Sequence, residues 1–393
     1  MAGSHELAGG LSVNAITTES LLAQAKEQTG LDDFGELPFR DALEKLVTST
    51  TSEANLHERG AATFAGSLVG YLSNRLKIVD YLKRNPELLE RPVEKSMFVF
   101  GLPRTGTTLT INLLASDPER RAYTRWEALN SVPPAPASDY ENDPRFIAEK
   151  QRIEMSIKYM PHLSAIHHED ADSPSECQFA MALSFCSQVF DSMLDIPSYH
   201  QWFLHEADYE PAFRFQKMQF QVMQANTGGR WTLKNPWHPL YLDALTKVYP
   251  DAQLVMTHRD PLQVVGSACS LCATVRPIYS ETVDGRRIAD TLMDTFDAMI
   301  SRQAEYRAKH GDDAIFDIDY AEQVADPIGQ MKKLYAHFDE PFTEDTEAAM
   351  TACMTENPKG KFGKHSYTLE QFGVTEDEVK ERYKDYREQY GFA

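Results

Sequence analysis

The chain has 393 residues, 42% hydrophobic and 25% charged, the balance of a globular protein long enough for one large domain with an appendage or for two domains. Lys and Arg number 39 against 59 Asp and Glu, a net charge of −20. So acidic a surface repels nucleic acid and anionic lipid, and neither is expected as a partner; an anionic ligand has to be held by a local cluster of donors.

No apolar run approaches membrane-spanning length, and the start of the chain has neither the basic residues nor the apolar stretch of a secretion signal. A cytoplasmic, reducing setting is the expectation. Cys177, Cys186, Cys269, Cys272 and Cys353 are scattered along the chain. The Cys269–Cys272 pair lacks a second pair or histidines at zinc spacing, so it reads as small buried side chains on one helix face.

Residues 17–91 carry Leu, Ile, Val and Tyr at helical spacing, punctuated by Pro86 and Pro92. This predicts a helical N-terminal region over 1–94, capping the rest of the chain or building a homodimer contact. From Lys95 the period changes. "KSMFVFG" predicts a buried parallel strand, and "TGTTLTINLLASDP" the helix after it. "LNSVPPAPASDYENDP" is a long proline-rich loop and "PRFIAEKQRIEMSIKYM" a helix. "SPSECQFAMALSFCSQVF" reads as a capped helix, with Ser173 ahead of Pro174 and Glu176 in its first turn. "PAFRFQKMQFQVMQAN" is helical up to Gly228-Gly229. "RWTLKNP", "AQLVMTHRDP" and "DAIFDIDY" predict three further strands, each followed by a helical pattern. The alternation over 95–338 predicts an α/β fold: a mostly parallel, P-loop-containing sheet flanked by helices, in a domain covering 95–393. Such sheets bind ligands beyond the carboxyl ends of their strands. The charged tips "GLPRTGTT", "LKNP" and "HRDP" are expected to converge there.

"GLPRTGTT" has the glycine spacing of a Walker A loop, between a strand and a helix. Backbone amides of such a loop point into one concavity, and the helix dipole adds positive potential. Arg104 adds a fixed charge with a planar donor fork. The Walker lysine is missing, because Thr107 stands in its place; this argues against a P-loop kinase or NTPase, which needs that lysine with Mg²⁺. A second anion site is predicted at "HRDPLQVVGSACSL", with Arg259 at a strand tip and Ser267 on the following helix. A salt bridge to Asp260 is the plainer reading of Arg259 taken alone. The triplet "HRD" also occurs in kinase catalytic loops, but Val265 stands where those loops need Asn. Two separated anion sites describe a nucleotide with a 5′ chain and a 3′ phosphate. 3′-Phosphoadenosine-5′-phosphosulfate (PAPS) has that shape.

These segments resemble the PAPS-dependent sulfotransferase family, in particular its bacterial branch related to tyrosylprotein sulfotransferases. "FVFGLPRTGTTL" is similar to the 5′-phosphosulfate loop and "HRDPLQVVGSACSL" to the 3′-phosphate motif, within a resemblance spanning residues 34–373. Animal cytosolic members have Lys where Arg104 stands. The resemblance implies that Arg104, Thr105, Gly106, Thr107 and Thr108 bind the 5′-phosphosulfate and that Arg259 and Ser267 bind the 3′ phosphate. It puts Lys234 on the oxygen bridging phosphate and sulfate. Gly363, Lys364, His365 and Tyr367 would close over the nucleotide.

The implied reaction moves a sulfuryl group in line from PAPS to a hydroxyl of a small phenolic or alcohol acceptor, releasing adenosine 3′,5′-bisphosphate. Arg104, Lys234 and the loop amides would stabilise the charge that develops, with no metal expected. A base must take the acceptor proton. Glu127 in "RWEALN" is the first candidate, following the loop helix where the tyrosylprotein branch has its glutamate. His167 or His168 is the alternative, since animal cytosolic members use histidine. A non-catalytic protein sensing adenosine 3′,5′-bisphosphate would keep both arginines and lack a working base. Tyr159, Met160, Phe185, Phe190, Trp202, Phe203 and Trp237 read as core before acceptor pocket.

Overall fold

The computed structural model describes residues 16–159, 170–356 and 367–392. Three helices come first: α1 (Thr18–Thr29), α2 (Arg40–Glu53) and α3 (Glu58–Arg84). Thr17 and Ser20 cap one another at the head of α1, and the His57 ring accepts the Gly60 amide at the head of α3. Five strands come next in the order of the chain, β1 (Met97–Gly101), β2 (Arg120–Ala122), β3 (Arg230–Lys234), β4 (Gln253–His258) and β5 (Phe316–Asp319). All pair in parallel, side by side as β2-β3-β1-β4-β5. The expected parallel α/β sheet is therefore present. β2 is the strand that no pattern predicted: Arg120-Arg121-Ala122 has no apolar alternation, and it survives as a short edge strand.

Later helices include α4 (Thr107–Ser116), α5 (Arg125–Leu129), α6 (Glu210–Met223), α7 (Pro261–Val275) and α8 (Gly285–His310). The sheet separates two cores by simple alternation. Met97, Val99 and Val255 face Ile111 and Leu114 of α4. Phe98, Phe100, Leu254 and Met256 face the larger core, which runs into α1–α3. Cys269 and Cys272 are buried on α7, and Phe185, Phe190, Phe203 and Trp237 belong to the larger core. Among the described residues no helix is long and apolar enough to cross a membrane.

Arg75 ties the first helices to the rest. Its guanidinium is fully buried between the rings of Phe39 and Phe215, at 4.3 and 4.0 Å. It donates to the carbonyls of Phe34, Leu37 and Leu183 and to the Ser184 hydroxyl.

His238 occupies the opposite kind of niche. It is buried among Phe98, Phe100, Phe213 and Tyr241, and neither ring nitrogen has a hydrogen-bond partner among the described residues. Burial drives its pKa from 6.5 down to about 3, so the folded chain holds it neutral. Unfolded chains take up the proton first; stability is therefore lost as pH falls below 6.5, by about 1.4 kcal/mol per pH unit from this group. His238→Phe is expected to flatten the decline in melting temperature between about pH 6.5 and pH 5, as measured by thermal melts across that range.

The segment "SPSECQF" departs from expectation. Instead of opening a helix, Pro174 forms an antiparallel bridge with Thr124, and Glu176 a parallel one with Lys234. The Ser175 and Cys177 amides donate to the carbonyls of Tyr123 and Lys234, at 2.7 and 2.8 Å. Those carbonyls lie at the ends of β2 and β3 and need donors, and this pairing overrides the local capping pattern. The helix begins only at Gln178 and lasts four residues, Gln178–Met181.

Candidate active site

β1 is the central strand, with β3 on one side and β4 on the other, so the chain reverses its direction of travel across the sheet beside β1. A crevice opens at the carboxyl ends of strands at such a point. Its floor is the loop from Gly101 to Gly106. Both glycines have positive φ, 145° and 101°, and a Cβ on Gly101 would stand 2.3 Å from the Thr257 carbonyl oxygen. Gly106 caps α4, whose first amides therefore face the crevice. Arg104 also sits in the left-handed region, at φ 71°, and its side chain is exposed. Although open to solvent, its guanidinium is held below its ordinary pKa, first by desolvation, with Arg259's positive charge adding and Tyr367, Tyr320 and Glu176 opposing.

The loop threonines divide their work. Thr105 is buried, and its hydroxyl joins the Leu102 carbonyl and the Thr257 hydroxyl, both at 2.6 Å. It pins the loop, leaving only its backbone for a ligand. Thr107 is buried and Thr108 is exposed on the first turn of α4.

Arg259 crosses to this loop. Its Nη1 donates to the Arg104 carbonyl at 3.0 Å, its Nε and Nη2 to Gln263 at 2.9 and 2.6 Å, and its guanidinium lies 4.4 Å from the Tyr320 ring centroid. Among the described residues its hydrogen-bond partners are neutral, so its charge stays available to an anion. Asp260 turns elsewhere: it caps α7 through the Leu262 amide and pairs with Arg387 at 3.0 Å. His258, just before Arg259, is wedged between Tyr386 and Asp317, both at 2.7 Å. Ser267 lies half-buried on α7. The Tyr367 hydroxyl donates to the Gln263 carbonyl at 3.1 Å and its ring packs against Gly266. His167, His168, Gly363, Lys364 and His365 lie outside the described residues.

Lys234 is buried at the exit of β3, with its ammonium 3.0 Å from Glu176. Arg125, Ala128, Leu129, Ser175 and Phe179 enclose a small apolar cleft, about the size of one water, reached from Glu176 through its neighbour Ser175. Glu127 is buried next to that cleft's wall, yet its carboxylate is engaged by Arg121 at 2.5 Å and the Thr124 hydroxyl at 2.7 Å. Burial raises its pKa, against the pull of Arg121 and Thr124. The structure thus gathers Arg104, Arg259, Lys234 and Tyr367 around one crevice. Glu176, which no motif singled out, belongs with them; its position could be found only through its pairing with Lys234.

The Sulfotransferase family model matches residues 96–344, which takes in β1 to β5 and all of these residues except Tyr367. The chain belongs to the sulfotransferase family. Two solved structures resemble this sulfotransferase over nearly its whole length. STF9 from Mycobacterium avium is 30% identical with a TM-score of 0.88, covering 95% of this chain and 96% of that one. STF1 from Mycobacterium tuberculosis H37Rv is 31% identical with a TM-score of 0.85, covering 95% and 99%. The omega-hydroxy-beta-dihydromenaquinone-9 sulfotransferase Stf3 of Mycobacterium bovis is 23% identical over 297 residues, 73% of this sulfotransferase and 74% of the relative.

Proposed function

We propose that this sulfotransferase takes its sulfuryl group from PAPS and passes it to a hydroxyl of a small phenolic or alcohol acceptor. The observation that carries this reading is the hydrogen bond from Arg259 to the Arg104 carbonyl. It brings the Arg259 guanidinium to the loop that carries Arg104, so cationic groups from two neighbouring strand ends meet, which suits a nucleotide bearing more than one anion. The glycine cradle and the first turn of α4, whose amides receive no side-chain cap, suit a tetrahedral oxyanion at the 5′ end. Arg259 with Ser267 suits a 3′ phosphate.

When bound, PAPS supplies an activated sulfuryl group on a phosphate leaving group. Arg104 and the loop amides hold that end in place and offset its charge. Lys234 presents a buried ammonium where charge develops as the group departs, in a setting where it acts strongly. Arg259 fixes the far end and so the line of transfer. Tyr367 closes one side over α7. The name of the Mycobacterium bovis relative gives a hydroxylated menaquinone derivative as its substrate, a hydroxyl on an apolar body, which supports the same class here.

Titration calorimetry tests the donor. Arg259→Ala is expected to weaken adenosine 3′,5′-bisphosphate by about 10- to 100-fold and adenosine 5′-monophosphate by less than about threefold. Equal losses for the two nucleotides would remove the 3′-phosphate assignment.

A further inference from the structure

Glu176 pairs with Lys234 and directly follows Ser175, which borders the small apolar cleft. Its backbone bridges Lys234, and its Oε1 lies 3.0 Å from the Lys234 ammonium. Its neighbours Ser175 and Phe179 line the apolar cleft. Its second oxygen accepts from the Gln178 side-chain amide.

Glu127 is placed differently. The Arg121 that engages it stacks on Trp231 and donates to the Met223 carbonyl at 2.7 Å and to the Thr227 hydroxyl, on the segment leading into β3. The other oxygen of Glu127 is held by Thr124, which follows β2 at the level of Lys234, so both oxygens of Glu127 are already engaged. A base has to reach the acceptor hydroxyl within a hydrogen bond. Burial makes Glu127 more basic than an ordinary carboxylate, but Arg121 and Thr124 occupy it, and among the described residues the ion pair of Lys234 is with Glu176.

We propose that Glu176 is the general base of the transfer and that Lys234 holds it until the substrates arrive. This rests on the PAPS reading of the site. Without substrates, the two groups neutralise each other where neither is tolerated alone. The anionic phosphosulfate would give Lys234 a replacement partner, and the acceptor hydroxyl would give Glu176 a replacement donor. Glu176 then takes the hydroxyl proton as the acceptor oxygen bonds to sulfur. The sulfur–oxygen bond to the 5′-phosphate breaks, and its electron pair stays on the phosphate oxygen facing Lys234.

Three variants of the full chain test this: Glu176→Gln, Glu176→Asp and Glu176→Ala, assayed with PAPS and 2-naphthol and by calorimetry with adenosine 3′,5′-bisphosphate. Glu176→Gln is expected to bind the bisphosphate at least as tightly as the wild type, since Lys234 loses its rival anion. Its kcat should fall about 100-fold, with loss of the acidic limb of the pH profile. Glu176→Asp should keep that limb, and added formate should restore turnover to Glu176→Ala. A kcat within about fivefold of wild type, an acidic limb that survives in Glu176→Gln, or bisphosphate binding weakened by more than about threefold overturns the assignment. If the wild type neither binds the bisphosphate nor turns over PAPS, the donor reading fails instead. If it binds without turning over 2-naphthol, the binding comparison alone decides.

Discussion

Lys234→Met is expected to lower kcat by about 1000-fold, the loss that comes from removing a buried charge aimed at the departing group. The strand sets this position rigidly: Val99 of β1 is its register partner, and its side chain is 2% exposed. Methionine keeps the length of the apolar stem, so the change removes charge more than volume. It also leaves Glu176 buried beside no cation, which costs about 3 to 5 kcal/mol when one partner of such a pair is deleted. The two effects separate in the double variant Lys234→Met/Glu176→Gln, which regains stability because no lone charge remains, yet stays inactive. Single-turnover rates with PAPS, alongside urea unfolding of the three proteins, read both. A single variant that keeps more than about a tenth of the wild-type kcat would take Lys234 out of the chemistry.

Arg75→Leu is expected to lower the unfolding free energy by about 3 kcal/mol, because three backbone carbonyls and a hydroxyl lose a shared buried donor. Burial holds this guanidinium's pKa down to about 9, which marks how little water reaches it. Leucine fills the space between Phe39 and Phe215 but bonds nothing. Arg75→Lys should recover little, because an ammonium cannot match the planar fork that reaches Phe34, Leu37 and Leu183 together. Urea titration gives the shift. Bisphosphate affinity per folded molecule should hold constant, since Arg75 lies in the larger core, away from the crevice; a parallel loss of affinity would contradict that separation.

The strands were legible because buried parallel strands are short apolar runs, and here four of them stand out between glycines, prolines and charges. The loop at Gly101–Gly106 and the tip at Arg259 were legible for the same reason, as local spacing that sits between a strand and a helix. What escaped depends on contacts remote in sequence. β2 is stabilised by pairing with Arg230 and its neighbours, not by its own composition. Ser-Pro-Ser-Glu looks like a helix start, and only the free carbonyls of Tyr123 and Lys234 explain why it is extended. Glu127 was readable as an acid after the loop helix, but its engagement with Arg121 was not. The Arg259–Asp260 salt bridge, the plainer reading from sequence, is replaced by Asp260's pairing with Arg387 from the far end of the fold.

The groups proposed to hold the donor stand on strand ends and helix starts, whereas Arg125, Leu129 and Phe179 belong to two helices of five and four residues. The molecule is modular in that sense. On the proposed reading, descendants of such a protein would drift towards new acceptors by altering two brief stretches while inheriting the loop and strand tips unchanged.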